Sequence, residues 1–301
     1  MVSPEDENYY IVCEDLFKIY KIADLEVVAL RGLDLRVKLG ELMAIVGASG
    51  SGKTTLLNIL GGLDTPSAGR VTVGKRDLLN VSASDLISYR REDVGFVWQQ
   101  GGRNLVPYLT AFQNVELPLM LLGWSPKKRR NRAKEMLNAV GLATRMHHRP
   151  DRLSGGEQQR VAIAIALAHN PPLLLADEPS GELDSQTARE IFNVFRTLNE
   201  TYGVTIVIVT HDIRVIHNAD RIVTIRDGRT SLEAIRKPGA HRDDVGLEET
   251  LEEFVILDNA GRLQLPKDYL DELNIAERVK VRLAEDHITI WAEEEQKGED
   301  S

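Results

Sequence analysis

Three groups of residues in this 301-residue chain have the types and spacing that phosphate chemistry needs. The first is Gly47-Ala48-Ser49-Gly50-Ser51-Gly52-Lys53-Thr54, followed by Thr55. Glycines so placed let a backbone wrap closely around phosphate oxygens. The N–H groups of a helix starting there point at the anion, and its dipole favours negative charge. Lys53 would reach the β- and γ-phosphates of a nucleotide, and the Thr54 hydroxyl would hold Mg²⁺. The expected nucleotide-binding residues here are Gly47, Ser49, Gly50, Ser51, Gly52, Lys53, Thr54 and Thr55. The second group is Asp177-Glu178, after the apolar Leu173–Ala176. Asp177 would bind Mg²⁺ through water, and Glu178 would polarise an attacking water as general base. Alone, such a pair is often only a solvated strand end; the phosphate loop gives it meaning. The third group is Leu153-Ser154-Gly155-Gly156-Glu157-Gln158. Here a hydroxyl and glycine N–H groups at a helix entry make a second anion site.

These groups work only if elements of the right kind deliver them. ELMAIVG reads as a buried strand running into the glycine-rich turn, and LLNILGGL as the helix after it. PLLLADEP and GVTIVIVTHD read as further strands, and VGFVWQQ as a strand ending in glutamines. Residues 82–91 read as a helix capped by Ser82 or Ser84. Residues 109–146 carry a basic helical pattern, VAIAIALAHN is a helix, and TAREIFNVFRTLNETYG is another. Residues 9–39 read as short β-type runs and RIVTIRDGR as a hairpin-like end. Strands alternating with helices imply an α/β domain with a largely parallel sheet.

The order of these motifs resembles the ATP-binding subunits of ABC transporters over residues 9–235. LSGGEQ is the signature that separates this family from other phosphate-loop NTPases. The resemblance implies a phosphate-loop NTPase domain with a helical subdomain. It also implies ATP and Mg²⁺ as cofactors, ATP hydrolysis, and a homodimer with ATP buried between two head-to-tail copies. Ser154, Gly155, Gly156 and Glu157 would then meet the γ-phosphate held by the other copy. Tyr20 matches the aromatic residue that stacks on adenine, and Gln99 the glutamine that touches Mg²⁺ and the attacking water. Asp184 matches the loop that crosses to the partner subunit, and His211 the histidine on the γ-phosphate. YRREDVGFVWQQ, NLVPYLTAFQNVELPL and DRLSGGEQQRVAIAIAL resemble the subgroup of macrolide exporters and lipoprotein-release complexes. That implies a separately encoded transmembrane permease and a peripheral place on the cytoplasmic face of the membrane. The chain departs from the subgroup at Trp98, where Phe is usual, and in Gly101-Gly102-Arg103, where one aromatic residue is usual.

Composition bounds the rest. With 43% apolar and 28% charged residues the chain is ordinary globular material, not disordered or collagen-like. Its longest strictly apolar run, Val161–Ala168, is far short of a membrane span. The acidic N-terminus shows no secretion signal, and the single Cys13 fits a reduced compartment. Residues 241–301 hold 18 acidic against 7 basic side chains, so the preceding 240 residues carry +2 of the net −9. The shift sets the expected divisions: 1–237 ATPase domain, 238–253 acidic linker, 254–293 a small β-rich domain and 294–301 an acidic tail. In the small domain Gly261 would supply a turn and Pro266 the first helical position. FVILDNAGRLQLPKDYLDELNI, then VKVRL and HITIW, resembles an AbrB-type swapped-hairpin domain through Asp258, Gly261-Arg262, Leu265-Pro266 and Leu273-Asn274-Ile275. About 40 residues bury little core alone, so a dimerisation domain is expected. Its negative charge speaks against nucleic acid as a partner. The alternatives are a soluble ABC ATPase outside transport, or a regulator built on the C-terminal domain.

Overall fold

LMAIV, LLLAD and TIVIV have no polar face, so each must be covered on both sides. In the computed structural model they are the central strands of a covered sheet. The structure describes residues 8–22, 25–99, 104–181, 183–212, 219–237, 251–257, 261–275 and 278–292. The chain divides into two compact units, Met1–Phe254 and Val255–Ser301.

In the first unit, β1 (Tyr9–Ile22) and β2 (Leu25–Lys38) form a long antiparallel hairpin rather than several short runs. With β4 (Ala68–Val73) and β5 (Arg76–Asp77) they make a four-stranded sheet in the order β2-β1-β4-β5. The second sheet contains β3 (Leu42–Val46), β6 (Val94–Val97), β7 (Leu173–Asp177), β8 (Thr205–Val209), β9 (Arg221–Arg226), β10 (Arg229–Arg236) and β11 (Leu251–Val255). Its order is β11-β10-β9-β3-β8-β7-β6. The run from β9 to β6 is parallel, and β10 returns antiparallel on β9.

Alternation across β3 shows how the sheet is sandwiched. Leu42, Ala44 and Val46 join one buried cluster, with α3 (Ala111–Leu121), α4 (Pro126–Ala139), α5 (Gly155–Leu167) and α6 (Ser185–Tyr202). Met43 and Ile45 join the other, with β1, β2 and α1 (Lys53–Leu60). Helix α2 (Ala83–Glu92) is capped by Ser82, which accepts from Asp85 N at 3.1 Å; Ser84 lies inside the helix.

Several expectations shift. The basic helical stretch 109–146 breaks into α3 and α4, because Gly123 takes φ +74° and Pro126 opens the next helix. Strand β6 stops at Val97, before Trp98 and Gln99. Leu251–Glu253, assigned by composition to the linker, belong to β11, and Leu251 packs against the larger core cluster. The charge shift marks solvent exposure and carries no signal for an edge strand. Gly101–Arg103, most of the linker (238–250), Asp258 and the acidic tail 294–301 lie outside the described residues.

The second unit has α7 (Lys267–Glu272), then a hairpin of β12 (Val279–Leu283) and β13 (Ile288–Ala292). Leu263 makes only an isolated bridge to Leu257, so LQL is not a full strand. Gly261 supplies the turn at φ +74°, and Pro266 is the N-cap of α7 rather than its first residue. No described apolar side chain of this unit is among the buried core residues.

Candidate active site

Parallel strands put their C-terminal ends on one edge of the sheet, and open α/β sheets build sites there. The register pairs Val97 with Ala176, and Asp177 and Ile45 each with Val209. Residues just past those partners are therefore neighbours: Gln99 after β6, Gly47 after β3, Glu178 after β7 and His211 after β8.

Gly47 and Gly52 make the loop possible. A Cβ on Gly47, at φ +151°, would sit 2.2 Å from Ile225 O; one on Gly52, at φ +104°, 2.6 Å from Ala29 O. No other residue fits either place. Lys53 opens α1 and is buried. Its Nζ donates to Gly47 O and Ala48 O, each at 2.8 Å, closing the loop on itself. Burial pushes the Lys53 ammonium below its ordinary value, against the pull of Glu178 and Asp177. Thr54 Oγ1 donates to Asp177 Oδ1 at 3.4 Å, so hydroxyl and carboxylate share one space. Asp177 is 8% exposed, and burial raises its pKa, with the Glu178 charge adding to the effect and Thr54 and Lys53 opposing it.

Glu178 is held in the left-handed region at φ +45°, which a non-glycine residue keeps only when its surroundings enforce it. Its N–H donates to Val209 O at 2.8 Å, and its own carbonyl accepts from Gly181 N at 3.1 Å. The turned backbone aims the side chain at His211. Glu178 Oε1 lies 2.9 Å from His211 Nδ1, and His211 N donates to Oε2 at 3.3 Å. Gln99 is close: a Cβ on Gly181 would lie 3.5 Å from Gln99 Nε2 and 3.7 Å from Glu178 Cβ.

The structure thus brings together Lys53, Thr54, Asp177, Glu178, His211 and Gln99. It does not bring the Ser154–Glu157 group to them; among the described residues no hydrogen bond joins it to the phosphate loop. Ser154 caps α5 in a reciprocal box: Glu157 N donates to Ser154 Oγ at 3.2 Å, and Ser154 N to Glu157 Oε2 at 2.8 Å. Arg145 Nε, 3.2 Å away, neutralises Glu157. A Cβ on Gly156 would lie 2.4 Å from Thr187 Cγ2, which seats the signature turn against the start of α6. Asp184 caps α6, accepting from Gln186 N and Thr187 N at 3.0 Å each and from Thr187 Oγ1 at 2.6 Å.

Tyr20 lies on β1, and its hydroxyl donates to Asp64 Oδ2 at 2.7 Å. Sequence reasoning missed Asp64 and its neighbour Lys18. Asp64 is 44 residues away in sequence, and no local pattern marks it.

With this geometry in hand, the comparisons are specific. A family model described as "ABC transporter" matches residues 30–181. The lipoprotein-releasing system ATP-binding protein LolD of Syntrophotalea carbinolica is 45% identical over 71% of this chain and 94% of its own length. The macrolide export ATP-binding/permease protein MacB of Bartonella henselae is 42% identical over 78% of this chain, which spans only 35% of that protein. Among solved structures, a dimeric post-hydrolysis state of the ATP-binding cassette MJ0796 bound to ADP and Pi is similar, with 43% identity and a TM-score of 0.67. That match covers 75% of this chain and 98% of that one.

Proposed function

The chain belongs to the ABC transporter family as an ATP-binding, ATP-hydrolysing subunit of MacB- and LolD-like type, and from that premise we propose how its residues divide the work. Two copies bind two ATP molecules head to tail. Each phosphate is cradled by Gly47–Thr55 of one copy and met by Ser154, Gly155, Gly156 and Glu157 of the other, while Asp184 reaches across beside it. The separation of the two groups within one chain supports this reading. Lys53 exchanges its two loop carbonyls for β- and γ-phosphate oxygens.

Thr54 and Asp177, with Gln99 beside them, would hold Mg²⁺. A hydroxyl and a carboxylate sharing one space are the hard oxygen donors this ion takes, with water and phosphate completing its shell. Bound there, it would neutralise charge on the β- and γ-phosphates. His211 Nδ1 fixes the Glu178 carboxylate and leaves Nε2 for the γ-phosphate. Glu178 Oε2, which among the described residues accepts only the long bond from His211 N, takes the proton of the attacking water. The water oxygen bonds to the γ-phosphorus, the bond to the β–γ bridging oxygen breaks, and ADP and phosphate leave.

The observation that carries the mechanism is the Glu178–His211 contact, beside Thr54 and Asp177. Glu178→Gln should keep ATP binding and lose turnover by about 10²–10⁴-fold. It should also hold a dimer in ATP, seen by sedimentation. Turnover near the unaltered rate would remove Glu178 from this role.

Opening and closing of the dimer would drive a separate transmembrane permease, in export or mechanical transmission. No described helix is long and apolar enough to cross a membrane. As the ATP-hydrolysing partner of such a permease, the subunit would act from the cytoplasmic face. We assign the ATPase to residues 1–237 with the added edge strand. We assign 254–293 to an AbrB-like swapped-hairpin dimerisation domain, supported by its exposed apolar strands and the turn at Gly261.

A further inference from the structure

A stacking platform serves a base only in one orientation. The Tyr20 ring is held from several sides. Its hydroxyl donates to Asp64 Oδ2 at 2.7 Å. The other oxygen of the same carboxylate takes Lys18 Nζ at 2.5 Å, and that ammonium also donates to Thr65 O at 2.8 Å. Lys18 Nζ lies 4.7 Å from the centroid of the Tyr20 ring, within cation–π range. Lys18 and Tyr20 are two residues apart on β1 and so share a face. The loop carrying Asp64 is fastened to the same strand, since Ser67 N donates to Phe17 O at 2.8 Å and Ile19 N to Ser67 Oγ at 2.9 Å. The Lys18 side chain is 11% exposed and that of Asp64 26%, so the pair is partly withdrawn from water. Burial opposes ionisation of Asp64, but the bonds from Lys18, Tyr20 and Thr65 N outweigh it and hold the carboxyl below its ordinary value. Tyr20 thus donates to a charged acceptor, the stronger kind of hydrogen bond.

Asp64 lies just past α1, whose first residues are Lys53 and Thr54. Eight residues of helix span about 12 Å. The strand that carries the ring is therefore tied to the loop at the end of the helix that carries the phosphate loop.

We propose that Asp64, with Lys18, is the positioning residue of the nucleotide site. It fixes the Tyr20 ring with the ammonium over one face and the other face presented to the base, in register with the phosphate loop. Its contribution is to recognition of the base and not of the triphosphate. The inference rests on the stacking role of Tyr20.

Calorimetric titration of the full chain, in a Glu178→Gln background to stop hydrolysis, compares ATP with inorganic tripolyphosphate, which has no base. Tyr20→Ala should weaken ATP by roughly 10-fold or more, the scale of one stacked base, and leave tripolyphosphate unchanged. Asp64→Leu should weaken ATP roughly 3- to 10-fold with tripolyphosphate unchanged. Tyr20→Phe, which keeps the ring and loses the tether, should do the same. The Asp64→Leu/Tyr20→Phe double variant should be no weaker than the worse single one. If Tyr20→Ala leaves the ratio of the two affinities unchanged, the stacking role itself falls. If Tyr20→Ala changes that ratio while Asp64→Leu and Tyr20→Phe do not, stacking stands and the positioning role is overturned. Equal weakening of both ligands by Asp64→Leu also overturns it, because that is loss of fold. Should Asp64→Leu fail to fold, Tyr20→Phe removes the same bond from the other side and decides alone.

Discussion

Asp177 is where stability and chemistry pull apart. Its burial raises the folded-state pKa above the ordinary 3.8. The native chain therefore holds that proton more tightly than the unfolded chain does. The resulting stabilisation is complete below the unfolded value and is lost as pH rises from about 4 through the raised native value. At neutral pH the bare carboxylate is a liability that the fold tolerates for a cation's sake. Asp177→Asn should raise stability at pH 7 by about 1 kcal/mol, the usual scale of such exchanges, and abolish Mg²⁺-dependent turnover. The stability gain should vanish at pH below 4, where both side chains are neutral. Thermal denaturation of the two proteins across pH checks the sign. A gain that stays constant with pH would mean that ionisation is not its source.

At the scale of elements, α5 and α6 meet at a close-packed junction. Gly156 lies in the first turn of α5, and alanine there would gain about 1 kcal/mol in helix propensity. The added Cβ would meet Thr187 Cγ2 at 2.4 Å. Thr187 cannot turn away: it is β-branched, and its hydroxyl is tied to Asp184 Oδ2 at 2.6 Å. Overpacking at about 1–3 kcal/mol outweighs the propensity gain. Gly156→Ala should therefore destabilise the chain and loosen the cap of α6. Adding Thr187→Ser, which keeps the hydroxyl and removes the clashing methyl, should restore stability to at least its original level. Denaturant titration of the single and double variants measures this. A double variant as weak as the single one would mean that the clash lies elsewhere.

At the scale of the whole molecule, the second unit leaves its apolar residues in water. Leu283 is 78% exposed, Ile288 63%, and Leu257 and Val281 62% each. So many exposed side chains on so small a unit mark an interaction surface. On the proposed dimerisation role, a second copy would supply the matching faces, and two tethered units would raise the effective concentration of the ATPase domains for each other. Full-length protein without nucleotide should sediment as a dimer. A chain ending at residue 256, which keeps β11 and its Leu251 contact, should be monomeric without ATP. In the Glu178→Gln background it should dimerise only when ATP is added. Monomeric full-length protein without nucleotide would end the clamp proposal. Tight, salt-sensitive binding of duplex DNA to the full chain but not to the shortened one would point to a regulator instead.

Local chemistry determined much of this protein in advance. The glycines of 47–52, the apolar runs of β3, β7 and β8, and the Ser154–Glu157 capping box follow from steric and hydrogen-bonding rules that act within a few residues. The phosphate loop, the acidic pair and the signature were legible because each lies on one short stretch of chain. What only the tertiary structure decided depends on partners far apart in sequence. Parallel register puts Gln99, Glu178 and His211 on one edge of the sheet. Strand β11 adds to that sheet beside β10, inside a stretch whose charge reads as linker. Asp64 reaches Tyr20 only because the β1–β2 hairpin folds down on the loop after α1. A carboxylate's role there is set by what the fold brings to it, and its neighbours along the chain carry no trace of that.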